Sequence, residues 1–284
     1  MVLTKEIVAK INEFVYQKPR SIDEIAKHIS VNWRTANRYV DKISKDEGTI
    51  STKVFRGGTR GALKIVFWNN MEKFHASEIQ ERLFNQIISG KHKKDFSPSE
   101  IFQFVDKDKK KMKVMNEKEY NSVSNSKDFV DRLRNAERQI LFFSGNLTFS
   151  NVAYHDKSIR DILEELGKKK VSSKILTRVE LAGINNIQDV LSLNKRIGHD
   201  AIEIRHCYQP LRATIIDSKE ATFKEVLDPQ EYAKDELKSK LYILYYIYDE
   251  AWIEWLQKVF WHLFRRSIDA KKRIEELEVF SPKV

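Results

Sequence analysis

The sequence predicts an α/β chain organised as two domains, and three features of its 284 residues predict it. In the first seventy positions apolar residues recur at helical spacing in three short runs, and two β-prone runs then flank a glycine-rich turn. From about residue 129 to 284 helical and β-prone runs alternate, the pattern of a sheet covered by helices. Between these, residues 71–128 are polar and rich in lysine, with nine Lys against five Asp and Glu over 91–118, and they read as a helical, partly mobile connector. The expected boundaries are therefore 1–70, 71–128 and 129–284, and 41% hydrophobic residues suffice for two packed cores.

Ile7, Val8, Ile11, Phe14 and Val15 place one apolar face on a first helix, which stops before Pro19. Ser21 starts a second. Glu24 stands three residues after it, the spacing of a capping box, and Ile22, Ile25, Ala26 and Ile29 supply the buried face. Asn32 caps a third helix on which Ala36, Val40 and Ile43 form the apolar stripe, with Tyr39 at its edge. TISTKVF and ALKIVFW, joined by RGGTRG, make a hairpin with a basic tip. Three helices closed by such a hairpin predict a winged helix-turn-helix, an α+β unit whose third helix lies in the DNA major groove.

The third helix carries the residue types that this position needs. Opposite its apolar stripe lie Arg34, Asn37, Arg38, Asp41, Lys42 and Lys45, with Trp33 and Thr35 in the first turn. Arginine grips guanine O6 and N7, asparagine pairs with adenine, and a threonine methyl touches thymine. On the hairpin, Arg56 and Arg60 flank Gly57, Gly58 and Gly61, where a backbone or minor-groove contact is expected. The candidate DNA-binding set is Asn32, Trp33, Arg34, Thr35, Asn37, Arg38, Lys42, Lys45, Arg56 and Arg60. An ordinary solvated charged face is the competing explanation. Against it, residues 1–70 hold thirteen Lys and Arg and seven Asp and Glu, a surplus of six.

The whole chain has 51 Lys and Arg against 41 Asp and Glu, a formal charge of +10, which favours nucleic acid or an anionic membrane as partner. No signal-peptide core is visible in MVLTKEIVAK, so a cytoplasmic protein is expected. Leu241 to Phe264 is apolar enough to suggest a membrane span, but Asp249, Glu250, Glu254, Lys258 and His262 interrupt it, and a buried or dimer-forming helix fits better. The one cysteine, Cys207, excludes an intrachain disulfide and a cysteine-based zinc finger.

In the second domain FVDRLRNAERQ reads as helix, ILFFSG as strand, DKSIRDILEELGKKK as helix, SKILTRV as strand, IQDVLSLNKRIG as helix and AIEIRHC as strand. A hairpin, LRATIID and ATFKEV, precedes a C-terminal helix over YYIYDEAWIEWLQKVFWHLFRR. The alternation predicts a mostly parallel sheet. Trp252, Trp255, Phe260 and Phe264, with Leu256, Val259 and Leu263, crowd one face of that last helix while Trp261 lies off it. So many rings either meet a partner or pack across the sheet. Ser144, Gly145 and Asn146 end the first strand, where open α/β sheets bind ligands, and mark a pocket edge. His155 with Asp156, His199 with Asp200, and His206 with Cys207 lack the i, i+4 spacing of metal ligands and read as scattered surface residues. Without a phosphate-binding glycine loop, no cofactor is expected.

The segment HCYQPLRATIIDSKEATF resembles the HxKxxxxD region of the phospholipase D superfamily, in which the histidine attacks phosphorus and the lysine holds the phosphate. Arg212 stands at the lysine position and Asp217 at the aspartate position, a degenerate remnant of that phosphate site, but Pro210 stands where the nucleophile belongs. Proline cannot attack phosphorus, and His206 comes four residues too early, so catalysis is not expected. A winged helix-turn-helix joined through a helical linker to an α/β phospholipase D-like domain resembles the TrmB-like transcription regulators. That resemblance implies a homodimer whose C-terminal domain dimerises and, in some members, senses a small molecule; no counterpart of the sugar-binding residues is found here, so the sugar does not carry over, and a small-molecule effector of unassigned identity stands among the expected partners beside DNA and a second copy of the chain. The expected function is sequence-specific binding of double-stranded DNA in transcription regulation. A phospholipase D-like nuclease delivered to DNA, and a DNA-binding or protein-recruiting module without sequence specificity, are the alternatives.

Overall fold

The computed structural model describes residues 3–56, 62–68, 78–154, 157–233 and 236–280. The chain divides into two compact units, Met1–His75 and Ala76–Val284. In the first, α1 (Lys5–Gln17) is followed by the two-residue β1 (Arg20–Ser21), α2 (Ile22–His28), α3 (Trp33–Asp46), β2 (Ile50–Arg56) and β3 (Ala62–Trp68). The strands form an antiparallel sheet in the order β1-β3-β2. Local chemistry sets each boundary. Thr4 caps α1; Ser21 and Glu24 complete the expected capping box on α2, the Glu24 carboxylate accepting the Ser21 N–H at 2.7 Å; and the Asn32 side chain accepts the Thr35 N–H at 2.9 Å at the start of α3. Ser30 takes a left-handed φ of 55° in the tight turn between α2 and α3. Ile11, Val15, Ile22, Ile25, Ala36, Val40 and Ile43 close the core, and Ile50 and Val66 add the inner face of the hairpin. Tyr39, expected at the edge of the α3 stripe, is 2% exposed and belongs to that core.

The second unit begins with α4 (Glu78–Ser89) and the one-turn α5 (Ser99–Phe102), followed by β4 (Lys110–Asn116), α6 (Glu117–Tyr120), α7 (Val123–Arg134) and β5 (Gln139–Phe143). A small two-stranded ribbon, β6 (Ala153–Tyr154) and β7 (Lys157–Ser158), leads into α8 (Ile159–Lys168), β8 (Ser172–Thr177), α9 (Ile184–Ile197) and β9 (Ile202–His206). The hairpin β10 (Ala213–Ile216) and β11 (Glu220–Leu227) comes next. The chain then forms β12 (Leu241–Ile247), α10 (Glu250–Arg266), β13 (Ile268–Asp269) and α11 (Ala270–Phe280).

Eight strands form one sheet in the order β13-β9-β8-β5-β10-β11-β12-β4. Three expectations are corrected here. The sheet is mixed, not mostly parallel: only β5, β8 and β9 run parallel, because only they are joined by the crossover helices α8 and α9, and the other pairings are antiparallel. Residues 71–128 are not a separate connector either. From Ala76 they belong to the second unit, and β4 pairs with β12 along its whole length from Lys110↔Ile247 to Asn116↔Leu241. Lysines on an edge strand keep it from pairing further, which gives β4 the composition of a solvated linker. Finally, LYILYYI is strand β12, and the helix that follows starts at Glu250, where Asp249 caps it by accepting the Trp252 N–H at 3.1 Å.

One face of the sheet packs Ile140, Phe142, Ile175 and Ile204 against α7, α8, α9 and α11. The other receives α10, whose Phe260 ring meets Phe143 edge-on at 5.2 Å. Trp255, Phe260, Trp261 and Phe264 are all buried within this unit, because α4 packs on α10 as well, with Phe84 against His262 at 5.0 Å. These four rings are therefore enclosed by the unit's own elements, while Trp252 is half-buried. Among the described residues no helix is long and apolar enough to cross a membrane.

Candidate nucleic-acid interface and cavity

On α3 the residues left outside the core form a cationic stripe. Trp33, Arg34, Arg38, Lys42 and Lys45 are exposed, and the spacing 34, 38, 42, 45 keeps the cations on one side of a 14-residue helix about 21 Å long. Arg34, Lys42 and Lys45 make no ion pair among the described residues, and the Arg38 guanidinium lies 5.7 Å from the centre of the Tyr39 ring. Trp33 keeps 46% of its surface in solvent at the first turn, unusual for a ring of that size.

Other members of the expected set are placed differently. Asn32 is exposed, but its side-chain oxygen is engaged as the helix cap, and Thr35 is half-buried. Asn37 is tied at both ends: its Nδ2 donates to Asp41 at 3.0 Å and its Oδ1 accepts from Lys64 Nζ at 2.9 Å. Lys64, on β3, also pairs with Asp41 at 2.5 Å. Asn37 would have to break two contacts before pairing with adenine. Lys64 escaped the sequence reading, although the alternation of ALKIVFW puts it on the face opposite Leu63 and Ile65, a signal that could have found it. The Arg56 side chain and the whole of Arg60 lie outside the described residues.

The second unit holds a cavity of about 770 Å³ beside the carboxyl end of β5. Ser144, Gly145 and Asn146 line it as expected, and Leu147 immediately after them is fully buried with a left-handed φ of 59°. Non-glycine residues in that conformation are held there by their surroundings. Arg212 enters the same cavity. Its guanidinium lies against Gly145, so closely that a Cβ on Gly145 would stand 2.5 Å from Nη2, and its Nη1 donates to the Leu211 carbonyl at 2.8 Å. Burial pushes the Arg212 guanidinium down to about 10, with a smaller contribution from the charge of Arg178.

Asp217 is not part of this cavity. It stands beyond the other end of β10, roughly 16 Å along the strand from Arg212 at about 3.3 Å per residue. There, at φ 52°, its carboxylate accepts the N–H groups of Glu137, Arg138 and Gln139 at 2.6, 2.8 and 2.8 Å. It clamps the entry to β5 onto the β10–β11 turn. The two residues expected as one phosphate-site remnant are thus separated, one at the cavity and one in the scaffold.

Pro210 is buried, and its ring fills the space over Gly90, where a Cβ would meet Pro210 Cγ at 2.8 Å. His206 is turned into a structural contact, its Nδ1 accepting the Val179 N–H at 2.9 Å. Burial lowers its pKa, and the nearby charge of Arg273 adds to that. His199 Nε2 lies 3.1 Å from the Gly167 carbonyl. His155 and Asp156 lie outside the described residues, and among the described ones no three His, Cys, Asp or Glu side chains gather as metal ligands.

No family model matches the sequence, and no curated protein matches it. Among solved structures, a phospholipase D family member, Nuc from Salmonella typhimurium, is 15% identical over 56% of this chain and 97% of its own, with a TM-score of 0.41. TrmBL2, an archaeal chromatin protein, is 15% identical over 92% of this chain and 91% of its own, with a TM-score of 0.38. Polyphosphate kinase from Porphyromonas gingivalis is 11% identical, with a TM-score of 0.36, and the match spans 66% of this chain but only 31% of the kinase. At these values the likenesses carry no functional inference.

Proposed function

We propose that this chain binds double-stranded DNA through α3, with the first unit acting as a winged helix-turn-helix, and that it regulates transcription as a homodimer. The observation that carries the reading is the α3 stripe. Four exposed cations share one side of a helix, three of them without an ion pair among the described residues, in a unit whose opposite face is a complete apolar core. A cation without a protein partner is available to a phosphate or to a guanine edge. A two-fold dimer would offer two such helices to half-sites about one helical turn apart.

A second reading, a DNA-binding module without sequence specificity, is favoured by the commitment of Asn37 to Asp41 and Lys64, which removes the one amide that α3 would offer to a base edge. Selection of bound duplexes from a random pool tests both. A two-fold symmetric consensus supports the regulator, retention without enrichment supports the second reading, and no retention at low salt overturns both. The reading includes no phosphodiester chemistry: Pro210 has no nucleophilic atom, and His206 Nδ1 is taken by Val179.

A further inference from the structure

The eight-stranded sheet ends in β4, which gives one edge to β12 and, among the described residues, leaves the other open. The Tyr248 N–H donates to the Lys109 carbonyl at 2.8 Å, so Lys109 and Tyr248 form a hydrogen-bonded pair one step before Lys110↔Ile247. Antiparallel ladders alternate hydrogen-bonded and non-hydrogen-bonded pairs. Lys111 and Lys113 therefore turn their backbone groups to β12, while the N–H and C=O groups of Lys110, Met112 and Val114 point out of the open edge.

The side chains along this edge are sorted by face. Met112 and Val114 lie on one side of the sheet and keep 52% and 49% of their surface in solvent. Lys111 and Lys113 lie on the other side, both exposed and without an ion pair among the described residues. The acids nearby have other partners or stand off the strand: Glu117 accepts the Tyr242 hydroxyl at 3.5 Å, Glu119 accepts the Asn116 N–H at 3.0 Å, and Asp108 precedes β4. A second copy of β4 would bring lysine against lysine, and like charges opposed across a ladder are destabilising, so the edge selects against itself. An acidic strand meets no such repulsion.

We propose that β4 is a docking edge for an extended segment of a partner protein in which acidic and apolar residues alternate, added antiparallel as a further strand. Its acidic residues stand opposite Lys111 and Lys113. Its apolar residues stand opposite Met112 and Val114 and exchange backbone hydrogen bonds with them. Charge complementarity sets the partner's chemistry, and the open backbone sets its extended form. Duplex DNA would also meet the lysines, but it would leave the strand backbone, Met112 and Val114 unused. The docking edge concerns the second unit alone and does not depend on the DNA-binding reading.

The test is fluorescence anisotropy of a labelled, end-blocked hexapeptide of alternating valine and glutamate, titrated with the full chain in the absence of DNA. Saturable binding, tighter than that of the same residues arranged as a valine block and a glutamate block, and tighter than that of a valine and lysine alternation, supports the proposal. N-methylation of the peptide distinguishes strand addition from simple charge attraction. Methyl groups on the valine nitrogens, which face β4, abolish binding, and methyl groups on the glutamate nitrogens, which face away, preserve it. Lys111→Gln and Lys113→Gln each weaken binding by roughly 1.5-fold to fivefold. The double reversal, Lys111→Glu with Lys113→Glu, transfers the preference to the lysine peptide, and an unchanged urea midpoint shows that the fold is retained. No saturable binding, equal binding of the block peptide, or indifference to which nitrogens are methylated overturns the proposal. So does displacement of the peptide by random duplex DNA when methylation has no effect, which would assign the lysines to nucleic acid.

Discussion

Arg34→Ala is the substitution that most directly probes the α3 interface. Arg34 is exposed and unpaired among the described residues, so its loss changes the stability of the fold by no more than about 0.5 kcal/mol, and a change in DNA binding reports on the interface itself. If all four cations of the stripe neutralise phosphates, they contribute about 3.6 to the slope of log K against log salt, which is an affinity loss of about a hundredfold between 50 and 200 mM salt. As a phosphate contact, Arg34 accounts for about 0.9 of that slope, and its removal weakens binding uniformly across sequences. As a bidentate guanine contact it is instead worth about 1–3 kcal/mol, roughly fivefold to 150-fold, on the preferred duplex alone. Fluorescence anisotropy of labelled duplexes over a salt series separates the two. Asn37→Ala, whose side chain is already bound to Asp41 and Lys64, is the contrast and shifts affinity by about twofold or less. Equal affinity and equal salt slope for wild type and Arg34→Ala would refute the assignment of α3 as the DNA-contacting helix.

Two further predictions concern the second unit. Asp217→Ala strands three N–H groups and places alanine at a φ of 52°, so urea unfolding should show a loss of about 3–5 kcal/mol, of which Asp217→Asn recovers part; an unchanged midpoint would contradict the clamp. The pKa of His206 is lowered in the folded chain, chiefly by burial, so the unfolded chain takes up this proton first as pH falls. Its contribution to stability is complete above about pH 6.5 and is lost as pH falls through the folded value. His206→Asn should flatten the stability profile below pH 6.5, and an unaltered profile would show that the ring does not titrate in this way.

Much of the first unit was legible because its signals are local. Ser21 with Glu24, and Asn32 ahead of Thr35, satisfy helix N–H groups three residues away, and Ala36, Val40 and Ile43 repeat with the helical period, so short-range pattern and structure coincide. The same pattern could not show that Lys64 immobilises Asn37, since the two are 27 residues apart and meet only when β3 packs beside α3. In the second unit the crossover segments were readable for the same reason. The edge strand β4 was not, because its partner β12 lies more than a hundred residues later and its lysines look like those of a solvated linker.

The cavity divides in the same way. That Ser144, Gly145 and Asn146 end a strand, and that Arg212 begins a hairpin, follow from residue order. That Arg212 is opposed by Lys224 is a matter of hairpin register, set by Asp217 and Ser218 both adopting positive φ in the turn. That Asp217 faces away from Arg212 and holds β5 is a matter of tertiary packing. Sequence by itself determined the helices and hairpin of the first unit, their caps, the crossover segments of the second unit and the cationic helix face, because these depend on neighbours within about four residues. Tertiary structure decided which charges are neutralised and which are left for a ligand, because a counter-charge is supplied by proximity in space.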